Sequence, residues 1–151
     1  KESIYGVMAA LEAWEKRDHA GIRERETGYL NLWKQTLDGR PGVTPLIEPD
    51  PTNNPLERLR VIINAEEAHI SAWDLTTALA QGNPPIITRD HEVEHHYFYL
   101  DPCNLHPGQE TIVAARLAEE LDKARASNEV IATPFEDRSR HRFDGMLRWP
   151  D

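Results

Sequence analysis

The sequence has a single cysteine, Cys103, so no disulfide can form within the chain. A chain without disulfides suits a reducing compartment, and we expect it in the cytoplasm. No apolar run approaches the roughly 20 residues that a membrane-spanning helix needs. The chain also lacks the GxGxxG, Walker, CxxC and GxSxG motifs, which leaves nucleotide-fold and catalytic-triad interpretations without support.

Basic side chains are the other scarce group, with 17 Lys and Arg against 26 Asp and Glu and a net charge of −9. Nucleic-acid affinity depends mainly on clustered Lys and Arg, so we expect no direct nucleic-acid contact. With 28% charged and 39% hydrophobic residues, the 151-residue chain has the composition of one globular domain rather than of a disordered or membrane protein.

Apolar side chains recur at three- and four-residue spacing through the first quarter of the chain and predict one helix from about Ser3 to Leu37. They are Ile4, Val7, Met8, Leu11, Trp14, Ile22, Tyr29, Leu30, Trp33 and Leu37. Such a helix would exceed about 50 Å, too long for this chain to cover, so part of the stripe should pack against something else. The alternative is a bend at Gly21 that makes two helices in a self-sufficient bundle. The chain begins at Lys1 without an initiator Met, as a piece of a longer protein would.

Alternating apolar positions and turn residues predict the rest of the secondary structure. The predicted strands are Val43–Glu48, an edge strand because of Pro45, then Leu56–Ile63, Pro85–Arg89 and Glu94–Leu100. The predicted helices run from the Ser71 cap to Gly82 and from Pro107 to about Arg125. The order helix-strand-strand-helix-strand-strand-helix predicts an α/β fold of the α+β two-layer sandwich kind. Residues 126–151 lose periodicity and are predicted to be an irregular charged tail.

The spacing of His91, Glu94 and His95 reads H-x-x-E-H, the pattern of inverted zinc peptidases when it lies on a helix. This run leads into an alternating aromatic strand instead. On a strand the two histidines would lie roughly 13 Å apart, too far to bind one ion. We therefore predict no metal site, and a zinc hydrolase is the less favoured alternative because it requires a helix over residues 91–96.

Two further groups of side chains are candidates for chemistry. Cys103 has His106 three residues away, but a nucleophilic thiol needs a stronger activating environment than this spacing implies, so a structural thiol is favoured. Arg58, Arg60 and Arg89 lie on or beside predicted strands, where a guanidinium can bind a carboxylate or phosphate. The competing interpretation for each arginine is an ion pair with one of the many acids.

Five stretches together resemble, in order, the selenocysteine synthase-like branch of the fold-type-I pyridoxal-phosphate (PLP) enzymes. They are KESIYGVMAALEAWEKRDH, GRPGVTPLI, NPLERLRVII, GNPPIITR and LDPCNLHPGQETIVAARLAEEL, within residues 1–125. The resemblance implies the C-terminal small domain of such an enzyme, entered through the long helix at about 3–37. It implies that the Schiff-base lysine and the other cofactor-binding groups lie upstream of Lys1, which itself matches a lysine at the start of this helix and not the aldimine lysine.

The resemblance also assigns one substrate-binding residue: Arg89, in PPIITR, matches the small-domain arginine that binds the substrate carboxylate. It implies a part of a PLP-dependent transferase or lyase acting on an amino acid or related amine, closing over the active site but not catalytic alone. Selenium transfer to charged tRNA, ammonia-lyase and aldolase activities all occur in the family. The implied partners are the large cofactor-binding domain of the same chain and further copies in a homo-oligomer. The alternative is a non-catalytic α/β interaction module whose helix stripe binds a partner.

Overall fold

The computed structural model describes residues 2–103 and 105–147, in which helices cover one face of a three-stranded sheet. In chain order the elements are α1 (Glu2–Glu15), α2 (His19–Leu37), β1 (Val43–Pro49), β2 (Glu57–Ile63), α3 (Ala65–Ala68), α4 (Ala72–Ala80), a 3₁₀ turn (Val93–His95), β3 (Tyr97–Leu100), α5 (Gln109–Ala126) and α6 (Phe135–Leu147). This arrangement confirms the predicted α/β two-layer class. Among the described residues, no helix is both long and apolar enough to cross a membrane.

The sheet is antiparallel with β2 in the centre, and its two faces differ sharply in exposure. Leu59 lies opposite Ile47 and Leu100, and Val61 lies opposite Pro45 and Phe98. These inward positions are largely buried, as the alternation of β2 predicts. β1 is an edge strand, in agreement with its internal Pro45.

Helices α2, α4 and α5 supply the second layer. α2 packs against α5 and against β1 and β2, while α4 packs against α5 and β3. Leu30, Trp33 and Leu37 are the buried side chains of α2, and they are spaced by three and four residues as a single helical face requires. The N-cap of α4 is Ser71, whose hydroxyl accepts from the Asp74 N–H at 3.1 Å, as the sequence predicts.

The long first helix is the main error of the sequence prediction, because the helix is broken between Glu15 and His19. Asp18 caps α2 by accepting from the Gly21 N–H at 2.9 Å. A Cβ at Gly21 would lie 2.2 Å from an Asp18 carboxylate oxygen, so the glycine leaves room for the cap. The chain does form two helices, with the break one turn before the predicted bend, but the exposure of α1 contradicts the self-sufficient bundle.

The break leaves α1 uncovered by the described residues. Its apolar side chains are 53–70% exposed, namely Ile4, Tyr5, Val7, Met8, Leu11 and Trp14. Within the described residues, the apolar stripe is therefore covered only in part, as the sequence predicts. The members of the stripe that reach the core all lie on α2, and none lies on α1. Lys1, at the start of the predicted helix, lies outside the described residues.

The two predicted strands Pro85–Arg89 and Glu94–Leu100 are also only partly formed. Pro85–Arg89 is not a strand, and its sheet contact is a single bridge between Arg89 and Tyr99. Proline offers no N–H to a ladder, which limits pairing at this end. The second strand is shortened to Tyr97–Leu100 because His96 adopts a left-handed conformation with φ of 66° after the 3₁₀ turn. Within Tyr97–Leu100 the predicted alternation holds.

The tail is more ordered than predicted. Ile131 forms a parallel bridge with Ile70: its carbonyl accepts from Ser71 N–H at 2.8 Å and its N–H donates to the His69 carbonyl at 2.9 Å. Residues Phe135–Leu147 then form α6, so an irregular tail is wrong for that stretch. The last four residues of the predicted tail, 148–151, lie outside the described residues.

Candidate functional site

A cavity of about 540 Å³ opens beside the edge of the sheet. It lies between the loop that follows α4, the end of β3 and the first turns of α5. Its lining is Trp33, Pro84, Pro85, Ile86, Ile87, Thr88, Arg89, His91, Leu100, Asp101, Cys103, Leu105, Gln109, Ile112 and Val113. The cavity therefore combines an apolar wall with a few polar groups, the usual composition of a small-molecule site.

The floor of the cavity is apolar and fixed. Trp33 is 1% exposed, and its indole N–H donates to the Glu110 carbonyl at 2.9 Å. Because that donor is already satisfied, the ring offers the cavity only apolar surface. Leu100 and Val113 are also buried beside it. A ligand here would find hydrogen-bonding groups at the rim rather than at the floor.

The backbone holds Arg89 at the rim of this cavity. Its N–H donates to the Tyr99 carbonyl at 3.0 Å, and its carbonyl accepts from the Tyr99 N–H at 2.9 Å. The preceding loop is tied down where Ile86 N–H donates to the Leu79 carbonyl at 2.9 Å. The site residue predicted from the sequence thus lies on a cavity, at a fixed place beside β3.

The Arg89 side chain is 42% exposed and has one long ionic contact, from Nη1 to Asp101 Oδ2 at 3.3 Å. Guanidinium groups carry five N–H donors, so this contact uses a small part of the capacity. The ion pair that the sequence offered as the competing interpretation is therefore present, and the same side chain lines a cavity. The arginine is placed where its remaining donors can meet an acid group.

Arg58 does not line the cavity, but it contacts Asp101, which does. Its side chain is 10% exposed, with Nη2 2.5 Å from Asp50 Oδ1 and Nε 2.6 Å from Asp101 Oδ1. The Thr52 hydroxyl, the Asn54 N–H and the Asn54 amide also donate to Asp50. These donors, Thr52 foremost, together with the Arg58 charge, hold the pKa of Asp50 below its usual value although burial opposes them. Arg58 is an internal ion-pair residue.

Arg60 lies on the open face of the sheet, away from the cavity lining. Its Nη1 is 3.2 Å from Glu48 Oε1, and its guanidinium lies 4.0 Å from the centre of the Tyr97 ring. The Tyr99 hydroxyl donates to Glu48 at 3.3 Å, and burial followed by the Glu48 charge raises the pKa of Tyr99. For Arg60 the ion-pair interpretation is the one the structure gives.

The histidine run does not form a metal centre in the described residues. They contain no group of three or more His, Cys, Asp or Glu side chains arranged to hold an ion. The run is neither the predicted strand nor the helix that a zinc peptidase requires, because Val93–His95 is a 3₁₀ turn. Of these histidines, His91 lines the cavity beside Arg89.

Cys103 also lines the cavity but is poorly suited to act as a nucleophile. Burial and then the charges of Glu26 and Asp101 raise the pKa of its thiol. A nucleophilic cysteine needs the opposite shift, toward the thiolate. The nearby His106 has its backbone N–H bonded to the Gln109 side chain at 2.9 Å. The structural interpretation of this thiol fits its surroundings.

The cavity does not supply the lysine that a PLP site needs. Within the described residues no lysine lines it. Lys34 pairs with Asp38 at 2.6 Å, and Lys123 pairs with Glu119 at 2.7 Å. The described residues therefore do not fit PLP by themselves, and no chemical step through the cofactor can be assigned to them.

Asp101 is the site residue that sequence reasoning missed. The sequence suggests only that Asp101-Pro102 ends a strand. Its role depends on the register, because the bridge between Arg89 and Tyr99 brings residue 101 within reach of both arginines. The sequence shows only that Asp101 lies two residues beyond the aromatic strand residue Tyr99. Without the strand register, this spacing does not identify a partner for its carboxylate.

Comparison with known proteins supports the broader class inferred above, a small domain related to that of a PLP-dependent enzyme. One curated relative is the D-glucosaminate-6-phosphate ammonia lyase of Salmonella typhimurium (strain 14028s / SGSC 2262), 28% identical over 124 residues that cover 82% of this chain and 32% of that protein. A solved D-glucosaminate-6-phosphate ammonia-lyase structure aligns with a TM-score of 0.67 and 26% identity over 80% of this chain and 31% of that one.

The chain therefore spans about a third of the length of the relative it matches. No protein-family model matches it. These relatives do not support selenocysteine synthase in particular, so the narrower resemblance is not carried forward. Ammonia-lyase activity was already among those expected from the family.

Proposed function

We propose that this chain is the C-terminal small domain of a longer PLP-dependent lyase, and that Arg89 binds an acid group of its substrate. The observation that carries the proposal is the Arg89 guanidinium, 42% exposed at the rim of a cavity and held by one contact of 3.3 Å. A guanidinium with free donors beside an apolar wall is suited to binding a carboxylate in a fixed orientation.

The relative indicates the kind of substrate. D-glucosaminate 6-phosphate carries, by its name, an amine, a carboxylate and a phosphate, and the enzyme is named for releasing ammonia from it. For this chain we propose a substrate of the same kind, an amino acid or related amine with a carboxylate on Arg89. PLP, bound to the rest of the longer chain, would supply the electron sink. The residues described here would bind, orient and cover the substrate.

The exposed stripe of α1 is the proposed contact with that remaining part of the protein. Six apolar side chains exposed by 53–70% on one short helix form an unusually large apolar surface. We propose that the large cofactor-binding domain of the same chain covers part of it, and that the protein is a cytoplasmic homo-oligomer. A non-catalytic module that binds another protein through α1 would show the same stripe, but would not need the Arg89 cavity.

The test is substitution of Arg89 in the longer protein, assayed by ammonia release from D-glucosaminate 6-phosphate. Loss of a charged hydrogen-bonding partner costs about 2–4 kcal/mol, so Arg89→Ala should lower kcat/KM by about 30- to 1,000-fold. The kcat/KM of Arg89→Lys should lie between those of wild type and Arg89→Ala, because lysine keeps the charge but loses the planar fork of the guanidinium.

Arg140→Ala is the matched control, because the Arg140 side chain is 73% exposed on α6 and pairs with Asp137 within the same helix. It should leave kcat/KM unchanged. If Arg89→Ala also left kcat/KM unchanged in an active enzyme, Arg89 would not be a substrate ligand.

A further inference from the structure

Four charged side chains form a continuous line from the interior to the cavity rim, which we call the ion-pair chain: Asp50, Arg58, Asp101 and Arg89. The successive distances are 2.5 Å from Asp50 to Arg58, 2.6 Å from Arg58 to Asp101 and 3.3 Å from Asp101 to Arg89. The side-chain exposures along it are 0%, 10%, 34% and 42%. The ion-pair chain therefore has short contacts and buried side chains at the Asp50 end, and a longer contact and more exposed side chains at the Arg89 end.

Arg58, rather than Arg89, fixes the position of Asp101. Arg58 Nε contacts Oδ1 of Asp101 at 2.6 Å, while Arg89 reaches only Oδ2 at 3.3 Å. Arg58 is itself fixed, because its other end contacts the fully buried carboxylate of Asp50. A side chain held in this way loses little entropy when it makes a second contact. Asp101 is thus held on one side by a short contact and stands beside a more exposed arginine.

The contact to Asp101 occupies one Nη of Arg89 and leaves the other donors of the guanidinium unused by the described residues. The anchor restricts where those donors point, and the backbone bridge to Tyr99 restricts the Cα. Together they present one edge of the guanidinium to the cavity. Preorganisation of this kind strengthens binding because the ordering cost is met before the ligand arrives.

We propose that Asp101, held by Arg58, is a positioning residue that orients Arg89 to receive an acid group in the cavity. This inference rests on the proposed function of Arg89 and adds the residues that make it effective. The opposite role is physically possible, since a carboxylate beside an arginine can compete with an incoming anion. The charge of Asp101 is, however, already countered by Arg58 at 2.6 Å and partly screened by solvent, which limits competition.

The experiment uses the longer protein and measures Arg89 directly rather than enzymatic turnover. Phenylglyoxal modifies exposed arginines, and peptide mass spectrometry reports the modification rate of Arg89 separately from the others. Acetate is added as a carboxylate probe, and inorganic phosphate is used in a parallel series. The concentration that halves the modification rate measures anion binding at Arg89. Arg140, which is largely exposed, serves as the internal reference for effects of salt.

Asp101→Asn should raise the half-protecting concentration of acetate by about three- to tenfold. This factor corresponds to the entropic cost of ordering one long side chain on binding, which Asp101 would otherwise have met in advance. Asp122→Asn is the matched control, because Asp122 forms an equally short pair, 2.6 Å to Arg40, at an exposed site that does not line the cavity. It should leave the half-protecting concentration unchanged. Greater sensitivity to phosphate than to acetate would identify a phosphate as the acid group.

Arg58→Lys provides a second route if Asp101→Asn does not fold, because lysine keeps the charge against Asp50 but cannot contact both carboxylates as a fork. Arg58→Lys should also raise the half-protecting concentration of acetate at Arg89. Protection that is unchanged or stronger in a folded variant would overturn the positioning role while leaving Arg89 as the ligand. A wild-type Arg89 that neither anion protects would overturn both this inference and the proposed role of Arg89.

Discussion

Gly42 is the position where a single added methyl group should damage this fold most clearly. It joins α2 to β1 with φ of 71°, a left-handed conformation that L side chains rarely adopt. A Cβ there would lie 2.4 Å from the Ala68 backbone nitrogen and 2.7 Å from the Asn64 carbonyl oxygen. Both are backbone atoms of the α3 segment, which cannot move aside as a flexible side chain would. We therefore predict that Gly42→Ala is strongly destabilising.

Two costs make up the expected loss. A left-handed non-glycine residue costs about 1–2 kcal/mol, and forcing atoms into a packed region adds about 1–3 kcal/mol. Gly42→Ala should thus lower the free energy of unfolding by about 2–5 kcal/mol in total. The loss should also loosen β1 against β2, because Gly42 accepts a hydrogen bond from Asn64 N–H at 2.8 Å next to the end of the ladder.

Gly39→Ala separates the two costs. Gly39 has nearly the same backbone conformation, with φ of 75°, but a Cβ there would meet no atom within 4 Å. It should therefore lose only the conformational part, about 1–2 kcal/mol. Urea unfolding followed by far-ultraviolet circular dichroism, at low protein concentration, measures both variants. Equal stability of the two variants would refute the steric reasoning.

Three further predictions use the same chain. Gly28→Ala should raise the free energy of unfolding by about 0.5–1 kcal/mol in urea titrations, because Gly28 lies inside α2 with open space around a Cβ; a loss would argue against a regular helix there. The exposed stripe of α1 should make the 151-residue chain self-associate, and Leu11→Glu should weaken this association in sedimentation velocity because it places a charge in the stripe. Ala13→Glu, on the opposite side of α1, should not weaken it. A wild-type chain that stays monomeric at high concentration would contradict this prediction. Asp50→Asn should destabilise the chain most at neutral pH. Because the pKa of Asp50 is lower in the folded chain than its unfolded value of about 3.9, its charge stabilises the fold above that pH. This stability is lost as the pH falls through the folded pKa. The melting temperatures of wild type and variant should therefore converge in acid and should not stay parallel.

Local patterns predicted the elements whose structure depends on near neighbours. The alternation in β2 and the Ser71 cap of α4 are both present. Each depends on period-two burial or on the chemistry of one or two residues, which the sequence displays directly. The edge position of β1 followed from Pro45 in the same way.

The errors arose where an unrecognised cap or a distant contact decides the structure. Asp18 ends the apparent long helix by capping α2, although the apolar spacing continues across the break. The tail is organised by the bridge between Ile70 and Ile131, residues that no local pattern connects. Arg89 was predicted from a resemblance, but its partner Asp101 needed the register of β3, which periodicity does not fix.

The central claim is that this chain is one domain of an enzyme whose cofactor lysine lies elsewhere in the same protein. The most direct measurement is the absorption spectrum of the longer protein, purified with PLP, before and after borohydride reduction. We expect a yellow band that reduction bleaches, with the reduced cofactor on a lysine outside these 151 residues. A colourless protein, or label on Lys1, Lys16, Lys34 or Lys123, would contradict it.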